Sequence, residues 1–458
     1  MTDKHKKYKD SYGENELYWG FGIEEETYLQ FEKLLNVAAP IFKNNHNRER
    51  YSVDYYKSYK PEFKELMLQE VSAPFIELPY YVNSHSFLNM DVKGEHITTY
   101  AKKPLPNKKY LGKTFFEELK EFNPAIFNDM YEKNFTFDGD TLEFMTLNFY
   151  KTDVRAVIKE LIKSKSLFLK SLNAYVSKSK NFLYEGRFIY PPINAPYTVY
   201  HSNPKNIAMF NNGTYHINIT LPTLLGPKDL SGNPTLMYPE KFKEDHKKCI
   251  QLYQWLEPIL VANYGTADPL SKKSDKYSKA SQRCALSRYI SLGTYNTETM
   301  IEGKILTVPY STLDVAKQDF WWYNTYHASS GYMKLEAVGM DINYKKHYTH
   351  GIELRILDWF DESRLQELCR LLIYVADASA DAKHIVNPSY SKTWNNLVVS
   401  VLQLGVDYIL PLHVIAVYEK IFNVELIDFV GNCYQFLKIL TKKLKAKYSK
   451  SMCSKLML

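Results

Sequence analysis

The segment Gly351-Ile352-Glu353-Leu354-Arg355-Ile356-Leu357-Asp358 contains the pattern that decides the fold. Its isoleucine and leucine residues alternate with Glu353 and Arg355. A period of two residues predicts a β-strand with one apolar face. Because Glu353 and Arg355 are two residues apart, we expect both side chains on the opposite, polar face.

Three other segments repeat this combination of one apolar and one polar face. They are Tyr18–Glu26, Phe135–Met145 and Gly213–Pro222. Their polar faces carry side chains that can bind a metal ion: Glu24, Glu26, Glu143 and His216. Asp138 and Asp140 precede Glu143 across Gly139, a residue type that permits a bulge within one strand. The sequence therefore predicts four strands with related polar faces.

If the four strands share one sheet, or a curled one, these side chains converge on a single cavity. Carboxylates buried at close range repel one another, and a divalent cation removes that repulsion. Oxygen ligands with a single nitrogen favour Mg²⁺ or Mn²⁺ over zinc. Mg²⁺ usually shares its coordination shell with substrate phosphates, so a carboxylate-rich cavity with Arg288 and Arg355 nearby indicates nucleotide chemistry.

Each feature has a simpler interpretation when it stands alone. A glutamate pair on a strand is usually a solvated face, and a lone histidine in an alternating strand is usually a packed or exposed side chain. Glu353 and Arg355 alone could form a surface ion pair of little energetic value. The four segments together predict one common cavity for their polar side chains. Finding such a cavity would favour a metal site over these simpler interpretations.

Six segments, in this order along the chain, resemble motifs of the bacterial-type glutamate–cysteine ligases, which belong to the glutamine synthetase-like carboxylate–amine ligases. The matching segments are Gly22-Ile23-Glu24-Glu25-Glu26, Leu142-Glu143-Phe144-Met145-Thr146, His216-Ile217-Asn218-Ile219-Thr220-Leu221-Pro222, Tyr264-Gly265-Thr266-Ala267-Asp268-Pro269, Arg288 with Leu292-Gly293 and Tyr295, and Ile352-Glu353-Leu354-Arg355-Ile356-Leu357-Asp358. They cover the chain from about Tyr18 to Phe360.

The resemblance implies an α+β fold, in which an antiparallel sheet curls into a funnel with helices outside. It implies a catalytic domain over residues 1–362, with an insertion at 27–134 that the bacterial enzymes lack. Helical periodicity predicts a C-terminal region over residues 363–458, packed on the first domain. Within it we expect helices at Leu365–His384, Trp394–Leu404, Leu412–Phe422 and Leu426–Lys447.

The resemblance also implies the ligands and substrates of the site. Glu24, Glu26, Glu143, His216 and Glu353 match metal-binding positions, and Asp138 is our choice for a further acidic ligand. Arg355 is expected to stabilise the phosphoryl group in transit, and Arg288 to hold a substrate carboxylate. Tyr295, Tyr326 and Asn218 are the expected substrate contacts. The implied activity joins glutamate to cysteine with ATP and Mg²⁺ or Mn²⁺.

Three alternative functions remain open. The segment from Trp321 to Lys334 lacks the basic cluster of the family, so the amine substrate could differ from cysteine. A guanidino-kinase-like phosphotransferase would use the same arginine and carboxylate chemistry, and a third reading is a binding protein on a ligase scaffold. Product analysis separates the first two, because a ligase makes an amide and a kinase makes a phosphorylated acceptor.

Composition narrows the class of protein. The 458 residues carry a net charge of +7, which does not demand a nucleic-acid partner. The five cysteines are widely spaced without a Cys-x-x-Cys motif, as expected in a reducing compartment. We see no secretory signal or membrane span, and expect a cytoplasmic protein without a membrane partner. The lysines at the end of the last helix are expected to be solvated, the alternative being contact with an acidic membrane or nucleic acid.

Overall fold

The computed structural model of the chain describes residues 12–27, 29–33, 80–82, 115–127, 134–138, 141–178, 186–190, 215–265, 342–344, 351–358, 360–382, 385–388, 391–426 and 429–458. The strands are β1 (Leu17–Thr27), β2 (Leu29–Lys33), β3 (Tyr80–Val82), β4 (Phe135–Asp138), β5 (Thr141–Met145), β6 (Gly186–Ile189), β7 (Tyr215–Lys228), β8 (Pro234–Leu236), β9 (Ile342–Tyr344) and β10 (Ile352–Leu354).

The main sheet is antiparallel between all its neighbouring described strands. Its order is β4-β5-β1-β7-β10-β9, and β8 pairs with the far end of β7. The sheet curls into a half-barrel. A smaller sheet has the order β3-β2-β6. Strands that are distant in sequence, namely β1, β5, β7 and β10, thus lie side by side in one sheet.

The described helices are α1 (Phe115–Phe122), α2 (Pro124–Phe127), α3 (Val154–Lys178), α4 (Pro239–Tyr264), α5 (Leu365–Asp381), α6 (Lys392–Leu404), α7 (Leu412–Phe422), α8 (Cys433–Tyr448) and α9 (Met452–Met457). Short 3₁₀ helices occur at Glu362–Arg364 and Gly405–Asp407. Together with the curled sheet they make a mixed α+β architecture, with helices dominating the C-terminal region.

The apolar face of the sheet and the apolar stripes of the helices form one hydrophobic core. Phe21, Ile23, Ile217 and Ile219 of the two central strands are fully buried in it. α3 contacts β1 and β5, α4 contacts β7, and α5 and α8 pack on α4. The polar side chains of the central strands therefore lie on the other face of the sheet, because successive residues of a strand alternate between faces.

The segment Phe135–Met145 differs from the single bulged strand that we predicted. It forms a hairpin in which Asp138 pairs with Thr141 across residues 139–140. Gly139 between two aspartates is a turn signal as much as a bulge signal, and the turn interpretation is the correct one here. Glu143 keeps its predicted strand, β5.

The glycines and prolines of the segment Leu224–Pro239 indicate a loop, but the segment begins with a hairpin. β7 continues to Lys228, and β8 pairs back along it. Gly232 lies in the turn between them with a φ of +76°, a conformation that glycine adopts without steric cost. The glycine-rich part is therefore the tip of a hairpin.

The last long helix begins at Cys433, later than the predicted Leu426. Asn432 accepts a hydrogen bond from the Gln435 backbone, and the Gln435 side chain accepts one from the Asn432 backbone. This capping box fixes the helix start. Asn432 also pairs with Ile409 in an isolated β-bridge. Its backbone is extended, so it lies outside the helix.

None of the helices in the described stretches is long and apolar enough to cross a membrane.

The proposed domain boundary at residue 362 stays a prediction. Side chains from both sides of it share the same hydrophobic core, for example Ile23 with Leu372.

Candidate metal centre

Two ladder pairings place four of the candidate side chains next to one another. Glu24 of β1 lies opposite His216 of β7, and Glu26 lies opposite Glu143 of β5. Residues directly opposite in an antiparallel pair share one face of the sheet. Because Glu24 and Glu26 are two residues apart, all four side chains belong to the same polar face.

β10 brings the remaining acidic side chain to this face. Glu353 lies opposite Asn218 of β7, and Asn218 lies on its other side opposite Gly22 of β1. Asn218 is two residues from His216, so its side chain belongs to the same face. The Asn218 Nδ2 donates a hydrogen bond to Oε1 of Glu24 at 3.2 Å, which ties β7 to β1 across this face.

The His216 imidazole lies among three carboxylates. Its Nδ1 is 3.5 Å from Oε2 of Glu24 and 3.7 Å from Oε1 of Glu353, and its Nε2 is 3.8 Å from Oε1 of Glu26. One ligand atom from each of Glu24, His216 and Glu353 lies within 4.8 Å of the others. We call these three residues the β1–β7–β10 cluster.

The cluster is withdrawn from water to an unusual degree for carboxylates. The side chain of Glu353 is fully buried, that of His216 is 2% exposed and that of Glu24 is 15% exposed. Ionised carboxylates are rarely buried without a compensating cation, because desolvation is costly. Glu24 is the most exposed of the three side chains.

Arg355 stands at the edge of the cluster. Its Nη1 is 3.3 Å from Oε1 of Glu353, and its side chain is 23% exposed. Glu353 therefore faces both an imidazole and a guanidinium. A half-buried arginine can offer its remaining donors to an anionic ligand.

An aromatic ring closes one end of the polar face. A Cβ atom added at Gly20 or Gly22 would lie 2.1 Å or 2.7 Å from atoms of the Phe149 ring, so only glycine fits at both positions. Thr146 Oγ1 accepts a hydrogen bond from the Ile23 backbone. Glu160 holds this segment by accepting hydrogen bonds from the Leu147 and Asn148 backbones.

The opposite face of β1 carries a separate charged group. Lys165 of α3 lies 2.8 Å from Glu25 and 2.6 Å from Glu362. Burial raises the pKa of the Glu25 carboxyl, and the nearby Glu362 adds to this rise, so that the attraction of Lys165 does not offset them. Burial alone would lower the pKa of Lys165, but the two carboxylates outweigh burial and raise it.

A cavity of about 400 Å³ borders this second group, with Glu25, Lys165, Tyr190 and Tyr215 among its lining residues. It lies on the helix-covered face of the sheet and not on the face of the β1–β7–β10 cluster. Its charged groups already pair with one another, so we take the cluster as the candidate site.

One comparison with known proteins finds a relative over nearly the whole chain. The chain is 38% identical over 457 residues to "Uncharacterized protein R704" of Acanthamoeba polyphaga mimivirus, covering 99% of this chain and 79% of the relative. The chain belongs to the R704 family. No known protein-family profile and no solved structure matches the chain. Membership in the R704 family carries no activity with it, so the site chemistry has to be argued from the residues.

The structure of this R704-family chain brings together most of the residues that the sequence singled out. Glu24, Glu26, His216, Asn218, Glu353 and Arg355 lie within direct reach of a neighbour in this group, and Glu143 lies opposite Glu26. For Asp138 only the backbone pairing with Thr141 is described. Arg288, Tyr295, Tyr326 and Asp140 lie outside the described residues. Their proposed roles stay predictions.

The donor set fits a hard divalent cation. The cluster offers carboxylate oxygens and one imidazole nitrogen, the ligands that suit Mg²⁺ or Mn²⁺. Within the described part of the chain, Asn218 Oδ1 and Thr220 Oγ1 are buried without a hydrogen-bond partner on the same strand as His216. Buried oxygens without donors indicate that a ligand or ordered water belongs beside them. Metal binding itself stays a prediction.

Sequence reasoning missed Lys165 and Phe149. Lys165 falls on the apolar stripe of α3 formed by Val157, Leu161 and Phe168, and a lysine at such a position signals a buried partner. No local pattern marks Phe149, because its role depends on a close approach to two glycines of β1.

Proposed function

We propose that this chain is an ATP-dependent γ-glutamyl ligase that joins the γ-carboxylate of glutamate to the amine of cysteine. The observation that carries the proposal is the β1–β7–β10 cluster with Arg355 at its edge. The six segments that resemble glutamate–cysteine ligases support it, because the side chains they contribute to β1, β7 and β10 share one polar face. The curled antiparallel sheet supports the ligase fold.

Amide formation from a carboxylate and an amine in water is uphill, so the carboxylate has to be activated. Transfer of the γ-phosphoryl group of ATP to glutamate gives an acyl phosphate and ADP. The uncharged amine then attacks the acyl carbon, and inorganic phosphate leaves. A buried site protects the acyl phosphate from hydrolysis.

The residues that would hold Mg²⁺ or Mn²⁺ are Glu24, His216 and Glu353, with Glu26 and Glu143 beside them. A bound divalent cation would screen the negative charge of the ATP phosphates. Asn218 holds the Glu24 carboxylate in place through its hydrogen bond. Phe149 covers one end of the polar face and so keeps water from that end.

We propose Arg355 as the group that stabilises the phosphoryl group in transit. Its contact with Glu353 fixes one side of the guanidinium, and its exposed part can donate to phosphoryl oxygens. We propose Arg288 as the group that holds a substrate carboxylate, with Tyr295 and Tyr326 lining the amino-acid pocket. Glutamate, cysteine and ATP are the proposed partners, and the cytoplasm is the proposed location.

The experiment incubates the full chain with ATP, Mg²⁺, glutamate and cysteine, and measures ADP, phosphate and γ-glutamylcysteine by mass spectrometry. We expect the amide product. We expect Glu353→Gln and Arg355→Ala to lose about a hundredfold or more in turnover while staying folded. Glu14→Gln, an exposed residue ahead of β1, is the matched control and should keep its turnover.

The products decide between the proposal and its alternatives. An amide with an amine other than cysteine, found by an amine screen, would change the substrate but keep the ligase. A phosphorylated guanidino acceptor would identify a kinase instead. Unchanged turnover in both Glu353→Gln and Arg355→Ala would refute the assignment of the site.

A further inference from the structure

The net charge of the chain is concentrated at its C-terminus. Residues 429–458 contain no aspartate, glutamate, arginine or histidine, and their seven lysines give a charge of +7. The whole chain has 58 basic and 51 acidic residues and the same net charge of +7. The other 428 residues are therefore balanced, with 51 of each.

α8 displays six of these lysines on its exposed side or just beyond its end. Lys438, Lys442 and Lys445 form one row at helical spacing, and Lys443, Lys447 and Lys450 form a second. All six are exposed. The rows extend about 18 Å along the helix, at 1.5 Å per residue. The other side of α8 is buried in the core through Phe436, Leu440 and Leu444.

Exposed apolar side chains gather beside the start of the lysine rows. Leu410 donates a backbone hydrogen bond to Gly431, and Cys433 donates one to Tyr408, so these two segments lie side by side. This pairing brings Ile409, 57% exposed, next to the chain around Val430, which is 77% exposed. Leu412 and Tyr434 are also exposed at the same end, and Lys438 lies over the Tyr434 ring.

Among the described residues, the acidic groups near α8, including the exposed Asp407 of the 3₁₀ helix that contacts it, form no ion pair with the lysine rows. Glu419 accepts a hydrogen bond from the Leu426 backbone, and Asp381 bonds to the hydroxyl of Tyr448. Glu425 is exposed two residues from Asn423, whose carbonyl accepts from Lys447. Lys442, Lys443, Lys445 and Lys450 are all exposed.

We propose that this surface, Ile409, Leu412, Val430 and Tyr434 with the lysine rows of α8, docks on a bilayer containing anionic lipids. The lysines match the negative headgroups, and the apolar side chains match the boundary between headgroups and acyl chains. A nucleic acid would satisfy the lysines but would leave the protruding isoleucine, leucine and valine without a partner. The helix lies on the surface and does not insert, because its apolar side is already in the core. The proposal adopts the alternative that the sequence left open for these lysines, contact with an acidic membrane, and departs from the expectation of no membrane partner.

The test is flotation of the full chain with vesicles of phosphatidylcholine alone and with about one third phosphatidylserine. We expect binding to the anionic vesicles only, and loss of binding in 0.5 M salt, which screens the charges. Lys442, Lys443, Lys445 and Lys450 all changed to glutamine should weaken partitioning by at least tenfold, since each lysine near an anionic surface contributes roughly fivefold.

The matched control changes the exposed Lys159, Lys163, Lys170 and Lys243 to glutamine. It removes the same charge from another part of the surface and should keep at least half of the binding. Ile409→Ser with Val430→Ser should also weaken binding while the lysines remain. Equal losses in both lysine variants would show a general charge effect and overturn the proposal. Binding to duplex DNA without binding to anionic vesicles would overturn it in favour of a nucleic acid.

Discussion

His216 Nδ1 lies 3.5 Å from Oε2 of Glu24, directly across the ladder that joins β7 to β1. The two residues are nearly two hundred positions apart in the chain, and both side chains leave the sheet on its polar face. Glu353 reaches the same nitrogen at 3.7 Å from the next strand. Three carboxylates crowd one imidazole here, which is why we propose a divalent cation at this position.

Removing the charge of Glu353 should weaken metal binding. Glu353 is fully buried and contributes one of the three mutually close ligand atoms of the cluster. We expect Glu353→Gln to weaken Mn²⁺ binding at least tenfold, measured by electron paramagnetic resonance titration, since even outer-shell changes commonly have this effect. Glu14→Gln should bind as the unaltered chain does, and equal affinities for all three proteins would remove Glu353 from the site.

Adding a charge at Asn218 should make stability depend on metal. In Asn218→Asp an oxygen replaces the Nδ2 donor that now lies 3.2 Å from Glu24 Oε1. We expect the free energy of unfolding in chelator to fall by roughly 3 kcal/mol, because a further carboxylate is buried without a partner. Saturating Mn²⁺ should restore much of the loss.

Asn218→Ala is the control for this metal dependence. It loses the hydrogen bond without adding a charge, so Mn²⁺ should not rescue it beyond the effect on the unaltered chain. Thermal unfolding with and without Mn²⁺ measures both variants. If Asn218→Asp were as stable as the unaltered chain in chelator, the polar face could not be the crowded acidic site described above.

A methyl group at Gly22 should strain the covered end of the polar face. Its Cβ would lie 2.7 Å from Cδ2 of Phe149. We expect Gly22→Ala to lower the free energy of unfolding by about 1–3 kcal/mol, as overpacking does. Phe149→Leu in the same chain should recover part of the loss, and denaturant unfolding of the double-mutant cycle measures this coupling. Strictly additive effects would show that the two residues are not in contact.

Glu25 should give the stability of the protein a measurable pH dependence. Its pKa is raised above the ordinary value of 4.5, mainly by burial. The folded state therefore holds a proton that the unfolded state releases, so the stabilisation is complete below pH 4.5 and is lost as the pH rises through the raised pKa. The free energy of unfolding should fall with pH over this window, by at most about 1.4 kcal/mol per pH unit.

Glu25→Gln should flatten this slope, measured by denaturant unfolding at a series of pH values. Lys165 does not interfere in this window, because its pKa is raised above 10.5 and its charge is retained throughout. Glu14→Gln should keep the slope. An identical slope in Glu25→Gln would show that Glu25 has the same pKa in the folded and unfolded states.

The strands that carry the site could be read from the sequence, because their alternation is strict. The predicted Tyr18–Glu26 strand corresponds to Leu17–Thr27, and Glu143, His216 and Glu353 all fall on strands. Their shared polar face followed from the same alternation. The order of the strands in the sheet could not be predicted in this way. Ladder register joins residues far apart in the chain, and no local pattern specifies that register.

The errors lie where a short signal has two structural meanings. Gly139 between two aspartates indicated a bulge within one strand, whereas Asp138 pairs with Thr141 and the segment forms two strands. The start of α8 is set by the Asn432 capping box and by the bridge between Asn432 and Ile409, whereas the apolar run from Leu426 indicated an earlier start. The Lys165 contacts with Glu25 and Glu362 depend on tertiary packing of α3 against β1, which periodicity does not reveal.

Anomalous diffraction from Mn²⁺-soaked crystals of the full chain tests the central claim most directly. Data collected at the manganese edge should show an anomalous peak for an ion bound between Glu24, His216 and Glu353. This peak should be absent in crystals of Glu353→Gln. Strong manganese peaks elsewhere, with none between these three side chains in the unaltered chain, would contradict the claim that this acidic face is a metal centre.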